Sequence, residues 1–269
     1  MVFVSWQDTY NTWKNQATLE TSLKQELTGM AGDDAALEDA FYEPMEFGTA
    51  GMRGVLGPGI NRMNIYTVRQ ATEGLARFMD TLPAEVKERG VAISFDSRHH
   101  SEDFAHESAR VLGQHGIKSY VFESLRPTPE LSFTVRHLHT YAGIMITASH
   151  NPKQYNGYKI YGEDGGQMPP KESDLITSYI RKVDDVFAIA VADEQQLLAD
   201  KTETIIGDDV DQDYLAKVKE VTINQKLVDE VGKDMKLVFT PLHGTGRMLG
   251  EKALKNAGFK NFSVVKEQA

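Results

Sequence analysis

Cysteine is absent from the 269 residues. No disulfide framework and no thiolate metal site can be built, and the absence is compatible with the cytosol. A cytoplasmic location is the expectation. Positive charge is also short: 29 Lys and Arg stand against 39 Asp and Glu, a formal charge of −10 with the acidic residues dispersed. That balance argues against a surface that tracks nucleic-acid phosphates. Long apolar runs are missing, which argues against a membrane span. The opening Met1-Val2-Phe3-Val4-Ser5-Trp6 has neither a basic segment nor a long apolar one, so no signal peptide is expected there. Internal repeats and low-complexity stretches are absent too. What remains, 41% hydrophobic and 25% charged residues, suits a soluble globular protein of one large or two moderate domains.

Residues 5–27 predict a helix with Trp6, Tyr10, Trp13 and Ala17 on one face, continuing after a break through Leu19, Leu23 and Leu27. Gly29 and Gly32 end it, and Asp33 or Asp34 caps a short helix to about Phe41. The run Glu46-Phe47-Gly48-Thr49-Ala50-Gly51-Met52-Arg53-Gly54 reads as a loop that lets backbone approach a ligand, with a guanidinium suited to phosphate. Its spacing is neither that of a P-loop nor that of a dinucleotide fingerprint. Residues 64–82 predict an amphipathic helix whose apolar face is Val68, Ala71, Leu75, Phe78 and Leu82.

From there strands and helices alternate. Val91–Phe95 reads as a strand ending in Asp96-Ser97-Arg98, and a helix over about 102–115 is stopped by Gly116. A second strand, Ile117–Phe122, leads to the rigid loop Arg126-Pro127-Thr128-Pro129 and a helix to about His139. The next strand, through Gly143–Thr147, ends in Ala148-Ser149-His150-Asn151-Pro152, where proline stops regular structure. This alternation predicts a layered α/β domain. It brings Asp96-Ser97-Arg98, Arg126-Pro127-Thr128 and Ser149 to one end of one sheet, where open α/β sheets bind ligands. A lone serine before a proline is ordinarily just a turn. Its company is what distinguishes it.

Beyond the serine loop, Asn156–Tyr161 reads as a strand, Glu163-Asp164-Gly165-Gly166 as a tight turn, and residues 171–183 as a helix. Polarity then rises, and a domain boundary is expected near 200. A helix over 208–221, a strand Lys236–Thr240, the glycine loop Pro241-Leu242-His243-Gly244-Thr245-Gly246, a helix to about Ala257 and a strand Phe262–Val265 follow. They begin a second α/β domain without completing it. The carboxylates of Asp209, Asp211 and Asp213 alternate as metal ligands often do. Alternate positions do not share a helix face, and acidic residues in a first turn favour the helix dipole, so the run is read as structural.

Gly48-Thr49-Ala50-Gly51-Met52-Arg53-Gly54, Thr147-Ala148-Ser149-His150-Asn151-Pro152, Asn156-Gly157-Tyr158-Lys159-Ile160 and Pro241-Leu242-His243-Gly244-Thr245-Gly246 occur in this order. In these motifs the chain resembles the α-D-phosphohexomutases of the bacterial phosphoglucomutase and phosphomannomutase type. The resemblance implies a layered mixed sheet with helices on both faces over residues 1–200, and an incomplete domain of similar architecture over 201–269. It implies that Ser149 carries a phosphoryl group and ligates Mg²⁺ through it, with glucose 1,6-bisphosphate as activator. Hexose 1-phosphate and hexose 6-phosphate, glucose foremost, are the implied substrates, passing through a bisphosphorylated sugar. Arg53 and Lys159 match the family's acid–base groups. A guanidinium deprotonates too reluctantly for that role, so Arg53 is read mainly as an electrostatic clamp. His150 orients the phosphate or shuttles a proton, Asn151 supports the loop, and Asp96 and Arg98 stand behind it.

The family's Asp-Gly-Asp-Gly-Asp-Arg metal loop is missing, as are its sugar-specificity and distal phosphate loops. The expectation is therefore an N-terminal half that is inactive alone, with weak self-association through the unfinished second sheet. The alternative is a phosphosugar-binding or interaction module without turnover. A serine-hydrolase reading is weak: there is no Gly-x-Ser-x-Gly elbow, and adjacent Ser149 and His150 should project to opposite sides.

Overall fold

The computed structural model describes residues 5–48 and 51–269. Thr49 and Ala50 of the glycine run, and residues 1–4, lie outside the described residues. Three helices come first: α1 (Trp6–Asn15), α2 (Thr21–Gly29) and α3 (Asp34–Phe41). Ser5 and Asp8 form a capping box on α1, and the Asp33 carboxylate accepts the Ala36 amide at the start of α3. Trp13 sits at the centre of their apolar cluster, edge-on to Phe41, Tyr66 and Phe187.

The main body follows as β1 (Met52–Val55), α4 (Ile65–Met79), α5 (Ala84–Arg89), β2 (Val91–Phe95), α6 (Ser101–Gln114), β3 (Ser119–Phe122), α7 (Thr128–His137), β4 (Ala142–Ile146), β5 (Tyr155–Tyr161), α8 (Pro170–Ile180), α9 (Glu194–Asp200) and β6 (Glu203–Ile206). The strands form one sheet in the order β1-β5-β4-β2-β3-β6. The four from β4 to β6 run parallel, while β5 and β1 add antiparallel pairs at the other edge. Helices cover both faces, as the strand composition demands: a strand buried on both sides is apolar throughout. Val91, Ile93, Phe95, Ile144 and Ile146 pack with α4, α6 and α8, whereas Ala92 and Met145 meet Leu131 and Val135 of α7.

Two strands are not legible in the sequence. β1 lies inside the glycine run, and β6 starts on a charged residue. Because β6 pairs with β3, the first sheet extends to Ile206, past the boundary expected near 200. The remaining chain forms α10 (Asp208–Glu220), α11 (Gln225–Val231), β7 (Leu237–Phe239), α12 (Arg247–Ala257) and β8 (Phe262–Val264). β7 and β8 make a parallel two-stranded sheet joined through α12. Among the described residues, no helix is long and apolar enough to cross a membrane.

Candidate active site

The loop that leaves β4 is held from three directions. Asp96, just past β2, accepts the Arg98 amide (3.0 Å) and the Ser101 hydroxyl (2.9 Å) on Oδ1. Its Oδ2 accepts the Thr147 hydroxyl (2.6 Å) and Arg98 Nε (3.2 Å). Thr147 Oγ1 in turn accepts the Ser149 amide at 2.9 Å. Buried Asn156 at the start of β5 donates to Ser101 Oγ at 2.9 Å, which ties β5 into the same network.

Arg98 completes the hold. Its Nη1 donates to the carbonyls of Pro152 (3.0 Å) and Tyr155 (3.1 Å), and its Nη2 to those of Ser149 and Asn151 (2.8 Å each). A planar guanidinium with a fixed fork of donors can bind four carbonyls of one curved loop, and an ammonium cannot. Within this frame Ser149 adopts φ 57°, the left-handed region that non-glycine residues seldom occupy. Both Ser149 and His150 are exposed.

Their side chains do not diverge as the alternation of an extended strand suggests. Ser149 Oγ and His150 Nδ1 lie 3.3 Å apart, because the left-handed residue breaks that alternation. His150 has no other hydrogen-bond partner among the described residues, so nothing orients its ring as a hydrolase base requires.

Arg53 and Lys159 reach the site from the antiparallel edge. Arg53 faces Gly157 across the β1–β5 pair, and Lys159 faces Met145 across the β5–β4 pair. Arg53, Gly157, Lys159 and Met145 therefore share one face of the sheet, with the two cations as diagonal neighbours. Gly157 is required between them: a Cβ there would meet the Thr147 and Met52 carbonyl oxygens at 2.7 and 2.8 Å. Arg53 Nη1 donates to Asn151 Oδ1 at 2.8 Å, which brings it to the serine loop directly. Burial and the nearby Arg53 lower the Lys159 pKa, against the opposing pull of Asp96.

Arg126 stands at the same end of the sheet but does not enter the site. Its buried guanidinium turns to α10, where Nε and Nη2 donate to Asp211 at 2.7 and 3.2 Å. Asp211 also takes Lys252 at 3.3 Å, so this carboxylate is engaged structurally. Nor does any hydrogen bond or ion pair among the described residues join the His243–Gly246 loop to the serine loop. Sequence reading names Thr147 only as the start of the serine motif, without a role, and misses Ser101. Thr147 bonds Asp96 and Ser101 bonds Asn156 across more than 50 residues, and only the Asp96-Ser97-Arg98 turn hints at them.

Comparison with known proteins shows the family and the fold. Residues 44–187 match a family model described as phosphoglucomutase/phosphomannomutase, alpha/beta/alpha domain I. A phosphoglucomutase of Staphylococcus saprophyticus is 39% identical over 230 residues, which are 85% of this chain and 40% of that protein. One from Staphylococcus aureus strain N315 is 39% identical over 238 residues, 87% of this chain and 41% of its own length. The chain thus spans about 40% of the length of the curated relatives it matches. A crystal structure from Thermus thermophilus, described as a phosphomannomutase, superposes with a TM-score of 0.65 at 25% identity, over 84% of this chain and 46% of that one. The open form of Paramecium parafusin, a phosphoglucomutase, shares the fold with a TM-score of 0.57 at 18% identity, over 84% and 43% of the two chains.

Proposed function

The chain belongs to the phosphoglucomutase/phosphomannomutase family, and on that premise we propose that it carries the phosphorylated serine of a mutase interconverting hexose 1-phosphate and hexose 6-phosphate. One observation supports this above the rest. An exposed serine stands in left-handed backbone, its loop clamped by Arg98, next to two cations on one sheet face. Phosphoryl transfer calls for positioning and charge stabilisation more than for a strong nucleophile, and this arrangement supplies both. Glucose phosphates are the favoured substrates, because the Staphylococcus relatives are named phosphoglucomutases.

A phosphoserine at position 149 brings about −1.5 to −2 charge. Arg53 offsets that charge with a planar cation suited to phosphate. Lys159, with its lowered pKa, is the better acid–base group. In transfer, a sugar hydroxyl oxygen bonds to phosphorus as the bond from phosphorus to Ser149 Oγ breaks. The hydroxyl proton passes to Lys159 in its amine form, and the released serine oxygen regains a proton, with His150 as the near donor. The bisphosphorylated sugar then returns its other phosphate to Ser149 by the reverse steps.

Mg²⁺, which the resemblance implies, would neutralise charge on the transferring phosphate. The residues present do not make its site by themselves. It asks for near-octahedral oxygen ligation. Asp96 is the carboxylate bonded to this loop, and both its oxygens are taken by Arg98, Ser101 and Thr147. Incubation with glucose 1,6-bisphosphate, followed by peptide mass mapping, is expected to place phosphate on Ser149. Equal labelling of a Ser149→Ala variant, or accumulation on another serine, overturns the assignment.

A further inference from the structure

A second group of ligating side chains lies away from the serine loop. His106 projects from α6, Glu194 opens α9, and Glu203 opens β6. His106 Nδ1 is 3.2 Å from Glu194 Oε1 and 3.3 Å from Glu203 Oε1, and one ligand atom from each of the three lies within 4.8 Å of the others. Glu203 pairs with Ser119 at the N-terminal end of the parallel strands, whereas Ser149 follows the C-terminal end of β4. The two groups therefore occupy opposite ends of the sheet.

Ion pairing alone leaves polar atoms there unanswered. The Glu203 side chain is fully buried, and its Oε2 has no hydrogen-bond partner among the described residues. The Ser119 hydroxyl is buried and likewise unpartnered among the described residues. Paired residues of a parallel ladder share a sheet face, and Ser119 lies level with Val91, which packs on the α6 side. Glu203 and Ser119 thus present unpaired oxygens toward the helix that carries His106. Buried polar groups left this way are rare and call for an explanation.

We propose that His106, Glu194 and Glu203 bind a divalent cation of the zinc type. One imidazole and two carboxylates provide three ligands and leave a fourth position for water. Tetrahedral bonds of ~2.0–2.1 Å separate ligand atoms by about 3.3–3.4 Å, close to the 3.2 and 3.3 Å observed. The imidazole favours zinc over magnesium or calcium, which prefer oxygen alone. Bound there, the ion staples α6, α9 and the edge strand β6 together. His106 must give up its proton to the metal, and its carboxylate neighbours, Glu203 first, raise its pKa, with burial opposing. Uptake should accordingly weaken on acidification.

The test is calorimetric titration of ZnCl₂ into the chelator-treated chain, with thermal melts alongside. One equivalent is expected to bind and to raise the melting temperature, more tightly at mildly alkaline than at mildly acidic pH. Magnesium chloride should do neither at the same concentration. Glu194→Gln, at a partly exposed helix start, should fold normally and weaken uptake about tenfold or more, since even partners behind the ligands carry that much. His106→Gln should abolish the melting shift. No zinc uptake by the wild type, or equal uptake by Glu194→Gln, overturns the proposal.

Discussion

Residues 5–48 and 51–206 bury both faces of a six-stranded sheet, whereas residues 207–269 close a two-stranded sheet with little beneath it. In the first region whole strands are buried: Val91, Ala92, Ile93, Ala142, Ile144 and Ile146 are all inaccessible. In the second, the buried apolar residues are Val210, Leu215 and Leu249, while Val221, Ile223 and Val238 stand 75%, 102% and 76% exposed. An apolar groove of about 370 Å³ stays open between α10 and α12, lined by Leu215, Val218, Phe239 and Leu254. Local structure is nonetheless regular in both, with helices formed and strands paired. Regular backbone therefore does not guarantee a core, and a two-stranded sheet is marginal without one.

The seam between the regions should produce the largest effect. Arg126 is buried against Asp211, and Glu130 lies 3.8 Å from its Nε with neither carboxylate oxygen hydrogen-bonded among the described residues. Replacing both acids, Asp211→Asn with Glu130→Gln, leaves the buried guanidinium only the exposed Glu123, at 3.3 Å, as an ion-pair partner and is expected to cost about 3–5 kcal/mol in urea unfolding. Asp211→Asn alone should cost less, because Glu130 can then ionise and take its place. Equal costs for the single and double variants would show that Glu130 is no substitute.

Next in size is a contrast of two truncations. Leu75→Ala, in the fully buried core under the large sheet, should lose about 2–5 kcal/mol. Ile223→Ala, fully exposed, should stay within about 0.5 kcal/mol. Similar losses at the two sites would erase the distinction between the regions.

The last effect is read as a pH slope. Burial, then the Asp211 carboxylate, pushes the Glu130 pKa up to about 8. In the unfolded chain it is ~4.3. Between those values the folded protein holds one more proton, so stability is full below the lower value and falls as pH rises to about 8. Glu130→Gln should flatten that decline when urea midpoints are compared across the range. An unaltered slope would mean that Glu130 is already ionised in the folded chain.

Neither region is fully legible in sequence, and both unread strands, β1 and β6, lie in the large one. β2 reads as a strand at Val91–Phe95, where it stands, since a short run carrying Val91, Ile93 and Phe95 after Gly90 has few other readings. β1 reads as loop because Met52-Arg53-Gly54-Val55 mixes a cation and a glycine into four residues, and only the close approach of β5 makes a strand of it. β6, of the same length, is hidden by its leading glutamate. At the site, the motifs point to Ser149, His150, Arg53 and Lys159, and the structure places them around one loop and one sheet face. The reach of Arg98 is not readable, because its acceptors there are backbone carbonyls, which every residue has. The end of the first sheet and the Ser149–His150 approach are hidden for a related reason: each depends on pairing or dihedrals that periodicity does not encode.

The backbone at Ser149 also limits what could ever replace it. Threonine offers the same hydroxyl and is phosphorylated elsewhere as readily in principle. Yet φ at this position is 57°, and a β-branched side chain there is a steric outlier. Holding one costs on the order of 1–3 kcal/mol unless the surroundings enforce it. The shape of the main chain, rather than the reactivity of a hydroxyl, sets serine above threonine at position 149.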